Sequence, residues 1–384
     1  MAFTLPGSRF SVSASAKASA RPRRSALRVG GRVLGSVLGS GVWVLGSAFA
    51  QQAAPAQVPT SAPGVSAEAQ KHIEAARAAA GTMWEGVFQP VCNGAIGLAT
   101  PPAPRGGGAG RAAGGGGGRG GGGRAGGAPA APARETWYAE PQKVFDNLYF
   151  VGQTEYSAWA IRTSQGIILL DAIYDYSIEA EVDEGLRKLG LNPADIKYVI
   201  VSHGHLDHAG GAKFLQEKYA ARLIMSAADY DLLDQQNPAW KPKRDLVATD
   251  GMKLTLGDFT MTLYLTPGHT EGTISTIFPV RDGNAKHTVA TWGGTLFNFG
   301  ANRPRLVSYA QQAERFREIA TKAGADVMLS NHTVYDGSKV KLPAVKARTA
   351  GQPNPYVIGA DGVRRYLTTV GECAQAAVAI VPPQ

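Results

Sequence analysis

Three imidazoles and a carboxylate stand within six residues in His203-Gly204-His205-Leu206-Asp207-His208. As packing they are costly, because each needs a polar partner if buried. As ligands they suit zinc, which accepts His nitrogen and carboxylate oxygen at about 2.0–2.2 Å. The i, i+2 pair His203 and His205 can face one ion. Asp207 and His208, past the bend, can face a second, and such paired sites separate their ions by about 3.5–4 Å. Two more histidines end strand-like runs: His269 in Leu265-Thr266-Pro267-Gly268-His269, and His332 in Leu329-Ser330-Asn331-His332. Either alone reads equally well as a surface histidine on a turn. Together, three strand-end loops deliver imidazole, which is how a metal centre is assembled at one edge of a sheet sandwich. His72 and His287 read as surface residues.

These loops need a frame. The first cluster follows the apolar run Tyr198 to Ser202 and precedes a helical stretch, Gly211 to Tyr219. It is therefore a strand-to-helix loop, where α/β proteins place ligand-binding groups. From Trp137 onward, further strand runs cover residues 144–151, 158–162, 167–170, 222–225, 254–265, 273–279, 288–292 and 327–329. Helical runs cover Ile178 to Leu189, Gln311 to Ala323 and Val363 to Val370. This alternation predicts one α/β domain over residues 134–384, with helices outside the sheets.

The remainder reads differently. Arg21 to Arg32 form a basic region, Val33 to Ser47 a modestly apolar one, and Ala48-Phe49-Ala50 a small-x-small cleavage pattern. Residues 1–50 are thus expected to be a signal peptide, and the mature chain periplasmic or secreted. Arg23-Arg24 resembles a twin-arginine signal, and the general secretory route is equally open. Residues 51–100 form an N-terminal arm with a short helix over Ser66 to Ala80. Residues 101–133, almost pure Gly, Ala, Pro and Arg, are expected to be a disordered insertion.

The net charge of +9 divides unevenly. Residues 1–134 carry 14 Lys/Arg against three acids, whereas residues 135–384 carry 25 against 27. Charge therefore gives no support to nucleic-acid binding by the catalytic body. No apolar run reaches the roughly 18–20 residues of a spanning helix, so no membrane span is expected after signal cleavage. Cys92 and Cys373, one pair in an exported chain, are expected to form a disulfide tying the arm to the last helix.

His-x-His-x-Asp-His, then Pro-Gly-His, then a late strand-end His resembles the metallo-β-lactamase superfamily, over roughly residues 137–370. The resemblance implies an αβ/βα four-layer sandwich with two zinc ions at one edge. By position, His203, His205 and His269 would hold the first zinc, and Asp207, His208 and His332 the second. Many superfamily hydrolases carry a metal-bridging Asp in a Gly-Asp-Thr-Leu-Phe context; here Gly293-Gly294-Thr295-Leu296-Phe297 puts Gly294 in its place. Two β-lactamase subclasses put Cys near this point, and none is present. A second site of Asp, His and His alone is similar to subclass B3 of the class B β-lactamases.

The implied activity is opening of a β-lactam amide by zinc-bound hydroxide, with Asp207 orienting the nucleophile as the catalytic carboxylate. The alternative is hydrolysis of another ester, lactone or phosphoester, since fold does not fix substrate. Either way the partner is a small-molecule substrate. Thr295, Asn298 and Tyr156 are candidate substrate-binding residues on loops, and Asp171 is a candidate second-layer partner of the ligands. A third reading, from outside enzymes, is a protein whose Gly/Arg tract holds it to an anionic polymer; the complete six-ligand set argues against lost catalysis.

Overall fold

The computed structural model describes residues 65–99 and 131–383. The expected signal peptide, the linker to residue 64 and residues 100–130 of the Gly/Arg tract lie outside the described residues.

Two sheets face each other. The first has seven strands in chain order: β1 (Gln142–Phe145), β2 (Leu148–Phe150), β3 (Trp159–Thr163), β4 (Gly166–Leu170), β5 (Ile196–Ile200), β6 (Arg222–Ser226) and β7 (Leu246–Ala248). β1 to β4 pair antiparallel, and β4 to β7 parallel. The second sheet has β8 (Met252–Leu256), β9 (Phe259–Leu265), β10 (Ile274–Asp282), β11 (Ala285–Trp292) and β12 (Val327–Ser330), ordered β12-β11-β10-β9-β8. Only β11 and β12 run parallel there among the described residues.

Central strands are apolar on both faces because both are covered. In β4, Ile168 and Leu170 join the core between the sheets, while Ile167 and Leu169 face helices. On that outer side lie α3 (Glu184–Lys188), α4 (Leu206–Ala209), α5 (Ala212–Tyr219) and α6 (Ala227–Gln236), contributing Leu186, Leu215 and Leu233. The other sheet is covered by α7 (Arg303–Lys322) and α9 (Gly359–Ile380), joined by α1 (Ala67–Ala80) and α2 (Glu85–Gly97) from the arm. α8 (Ser338–Ala347) completes the described helices. The layers are helix, sheet, sheet, helix, the expected four-layer sandwich.

Cys92 in α2 and Cys373 in α9 form a disulfide across 281 residues of sequence. Closing so long a loop restricts the unfolded chain by roughly 5 kcal/mol in the entropy model. Trp84 reinforces the joint by donating from Nε1 to the Gly362 carbonyl at 2.9 Å.

Several elements depart from the expectation. α7 begins at Arg303 rather than Gln311, because Asn302 caps it by accepting from the Arg305 amide and Pro304 fits its first turn. α9 extends to Ile380, well past Val370, along an Ala-rich face buried by α1 and α2. α2 contains Pro90 and three glycines, and tertiary packing of Val87, Phe88 and Val91 overrides that poor propensity. His72 and His287 are not free surface residues: they pair with Glu372 at 2.7 Å and Asp326 at 2.6 Å.

Candidate metal centre

β4 to β7 point one way, and in the second sheet β9, β11 and β12 share a direction because β10 runs against both β9 and β11. β5 leads into His203, His205, Asp207 and His208; β9 leads into His269; β12 leads into His332. The amide of Ile274 donates to the Ser202 carbonyl at 2.8 Å, tying the two sheets together beside the first cluster.

His203, His205 and His269 converge. His269 Nε2 lies 3.1 Å from His203 Nε2 and 3.2 Å from His205 Nδ1. Carbonyl oxygens only accept, so the Gly293 carbonyl 2.8 Å from His203 Nδ1 and the Leu296 carbonyl 2.6 Å from His269 Nδ1 put the protons on those atoms. Both Nε2 atoms then turn bare lone pairs on each other, which cannot hydrogen-bond. A cation between them relieves that repulsion. A tetrahedral ion with bonds of about 2.0–2.1 Å separates its ligand nitrogens by about 3.3 Å, close to the spacing here. The donor set fits zinc.

Asp207, His208 and His332 converge beside it. His208 Nε2 lies 3.3 Å from His332 Nε2 and 3.2 Å from Asp207 Oδ2, and His332 Nε2 lies 3.6 Å from that oxygen. His203, Asp207 and His208 also offer ligand atoms within 4.8 Å of one another, so the two groups adjoin. On its far side His208 Nδ1 meets Asp171 Oδ2 at 3.1 Å. Asp171 in turn accepts from the Ser202 amide at 2.6 Å and the Ser202 hydroxyl at 3.0 Å. Asn331 Nδ2 donates to the Gly293 carbonyl at 2.8 Å and to the Ser202 hydroxyl at 3.2 Å, linking the supports of both groups.

Burial sets the charge states. It pushes His205 down to about 4, His269 and His332 down to about 3, and His203 well below its ordinary value. These imidazoles are neutral at neutral pH, the form that binds metal. For His208 burial acts the same way, but Asp207 and Asp171 on its two sides outweigh it and raise it to about 10. Burial works against the Asp207 charge, yet His208, His332 and His205 hold it below the usual carboxylate range.

The substrate-binding candidates separate. Tyr156 is half-buried, with its ring 5.1 Å from that of His332. Thr295 is 2% exposed and turned inward, its carbonyl accepting from the Tyr309 hydroxyl at 2.8 Å, so it offers the groove no surface. Asn298 is exposed further along the same loop.

Three supports escaped sequence reasoning. Asp229, in α6, is buried beneath the Pro-Gly-His loop, where its carboxylate accepts from the Thr270 hydroxyl at 2.9 Å. Burial raises it to about 7. Arg305, in the first turn of α7, donates from Nε to the Gly268 carbonyl at 3.2 Å and from Nη2 to the His269 carbonyl, fixing that ligand's backbone. Tyr174 stands against Tyr156, ring centroids 5.0 Å apart. None has a local sequence signal; only the β-strand and helix ends reveal them.

Fold and donors define a class: an αβ/βα sandwich with a His-rich edge whose side chains could hold metal. The metallo-beta-lactamase superfamily model matches residues 151–282, and over that stretch the chain is similar to the superfamily. Among curated relatives, a hydroxyacylglutathione hydrolase of Acidiphilium cryptum is 30% identical over 137 residues, 36% of this chain and 50% of that protein. The chain therefore spans about half the length of the curated relatives it matches. Among solved structures, a subclass B3 metallo-beta-lactamase of Bradyrhizobium japonicum is 28% identical with a TM-score of 0.51, covering 61% of this chain and 91% of that one. A metallo-beta-lactamase from Elizabethkingia meningoseptica has a TM-score of 0.53 at 22% identity, over 64% of this chain and 95% of that one.

Proposed function

We propose that this chain is an exported hydrolase that holds two zinc ions and opens the amide of β-lactams. The observation that carries the reading is at Gly294. A Cβ there would lie 2.5 Å from His269 Cβ and 2.7 Å from its Cγ, so the loop is packed where a bridging Asp would stand. The second group is left with Asp207 as its one carboxylate, as in the pattern resembling subclass B3. The 28% identity to a subclass B3 enzyme supports the same choice.

Ions held there would acidify water and polarise an acyl oxygen. The chain's own part is to keep four imidazoles neutral, to hold Asp207 ionised between His208 and His332, and to lock His269 through Arg305. In this reading Asp207 is a ligand first and, as the catalytic carboxylate, would orient the nucleophile. The Cys92–Cys373 disulfide suits an oxidising compartment and supports export. Among the described residues no helix is long and apolar enough to cross a membrane.

A second reading is hydrolysis of another ester, lactone, thioester or phosphoester, favoured by the identity to hydroxyacylglutathione hydrolases. The two are separated by a turnover panel on zinc-loaded mature protein. A penicillin, a cephalosporin and a carbapenem are compared with a lactone, a glutathione thioester and a phosphodiester. Turnover confined to the three drugs is expected; silence on all three, with thioester turnover, transfers the assignment.

A further inference from the structure

The edge beside Asp207, His208 and His332 carries phenols that the metal chemistry does not use. Tyr156 pairs with His332 as an isolated β-bridge, its ring 6.4 Å from that of His208. Tyr174 meets Tyr156 edge to face, and its hydroxyl donates to the Tyr156 hydroxyl at 3.4 Å. Tyr176 stacks behind Tyr174 at 4.9 Å.

The backbone is distorted to bring Tyr174 there. Asp171 has φ 61° and Ile173 φ 41°. For a buried β-branched residue the left-handed region is an outlier, kept only where the surroundings enforce it. They do so here. Ala172 donates to the His208 carbonyl at 2.8 Å, and the Gly211 amide reaches the carbonyls of Ala172 and Ile173 at 3.2 and 3.1 Å. A Cβ on Gly211 would lie 2.4 Å from the Ala172 oxygen, so that approach requires glycine. Strain of this kind clusters at ligand-binding sites, where it positions a working group.

The Tyr156 oxygen accepts from Tyr174, and among the described residues its own proton has no acceptor. A hydroxyl that accepts a hydrogen bond is a stronger donor, and its bond to a charged acceptor is stronger than to a neutral one. Two divalent ions would outweigh the charges of Asp207 and Asp171, making this edge attractive to anions.

We propose that Tyr156, backed by Tyr174, donates to a carboxylate oxygen of the substrate, so that Tyr156 selects acidic substrates and Tyr174 positions it. The choice of carboxylate rests on the β-lactam reading, since those drugs carry one beside the lactam ring.

The test compares a carboxylate-bearing β-lactam with its methyl ester on zinc-loaded wild type, Tyr156→Phe and Tyr174→Phe. The readout is the acid-to-ester ratio of kcat/KM, or of affinity by calorimetry where there is no turnover. Loss of β-lactam turnover in wild type then sinks the hydrolytic assignment alone, because binding still reads the tyrosines. The expected ratio falls about tenfold in Tyr156→Phe and about threefold in Tyr174→Phe. A merely structural role lowers both substrates equally; an unchanged ratio, or no binding of the acid, overturns the proposal.

Discussion

The trio His203, His205 and His269 and the trio Asp207, His208 and His332 are neighbours, with the rings of His203 and His208 4.3 Å apart, yet they are supported in opposite ways. In the first, the outer nitrogens of His203 and His269 donate to neutral backbone carbonyls of Gly293 and Leu296. In the second, His208 is held between two carboxylates. A backbone carbonyl fixes a tautomer and adds no net charge, whereas a carboxylate stabilises the protonated ring. The first trio is thus ready for an ion as folded; the second must give up a proton first. Adjoining sites that share one loop therefore differ in their coupling to pH.

The largest effect breaks either half outright. His205→Ala or Asp207→Ala should abolish hydrolysis and lower bound zinc from about two per chain towards about one, read by metal analysis beside turnover. Full activity in either variant, or in chelator, would remove the metal assignment.

Acidification should separate the halves next. His208 is raised to about 10 in the metal-free fold, so it is protonated at pH 7 and ion binding there releases a proton. Affinity at the second half should rise about tenfold per pH unit below that value. The first half, with His205 and His269 near 4 and 3, should be flat above about pH 5. Calorimetry in buffers of different ionisation enthalpy counts the protons released.

Asp171→Asn keeps the shape and removes one charge behind His208. It should weaken the second ion by about 10–100-fold and leave the first alone. Equal loss at both would mean the supports act as one unit through Ser202 and Asn331. The smallest effect is expected from Gly294→Ala, whose Cβ crowds His269. A loss of about tenfold, confined to the first half, is expected in metal titrations.

Much of the centre was legible because its ligands sit at strand ends. His203, His205, Asp207 and His208 lie in one loop, and the apolar runs before His269 and His332 announce strands whose ends must share an edge. The fold class was legible for the same reason, since strand and helix periodicities alternate from Trp137 onward. Less was legible where tertiary contact outweighs local preference. α2 forms despite Pro90, and α7 begins eight residues before its apolar pattern becomes regular. Thr295 read as a substrate-binding candidate from its place on a loop, but in the loop after β11 it is buried and its carbonyl accepts from Tyr309.

By itself the sequence determined which side chains can hold ions, because ligand chemistry belongs to residue type and spacing survives in one dimension. It also determined that one body folds as layered α and β structure, and that two cysteines were available to each other. Only the tertiary structure decided which nitrogen of each imidazole is bare, that Asp171 stands behind His208, and that Tyr174 reaches Tyr156. Those depend on distances between segments tens to hundreds of residues apart, which packing of two sheets sets and no local pattern encodes.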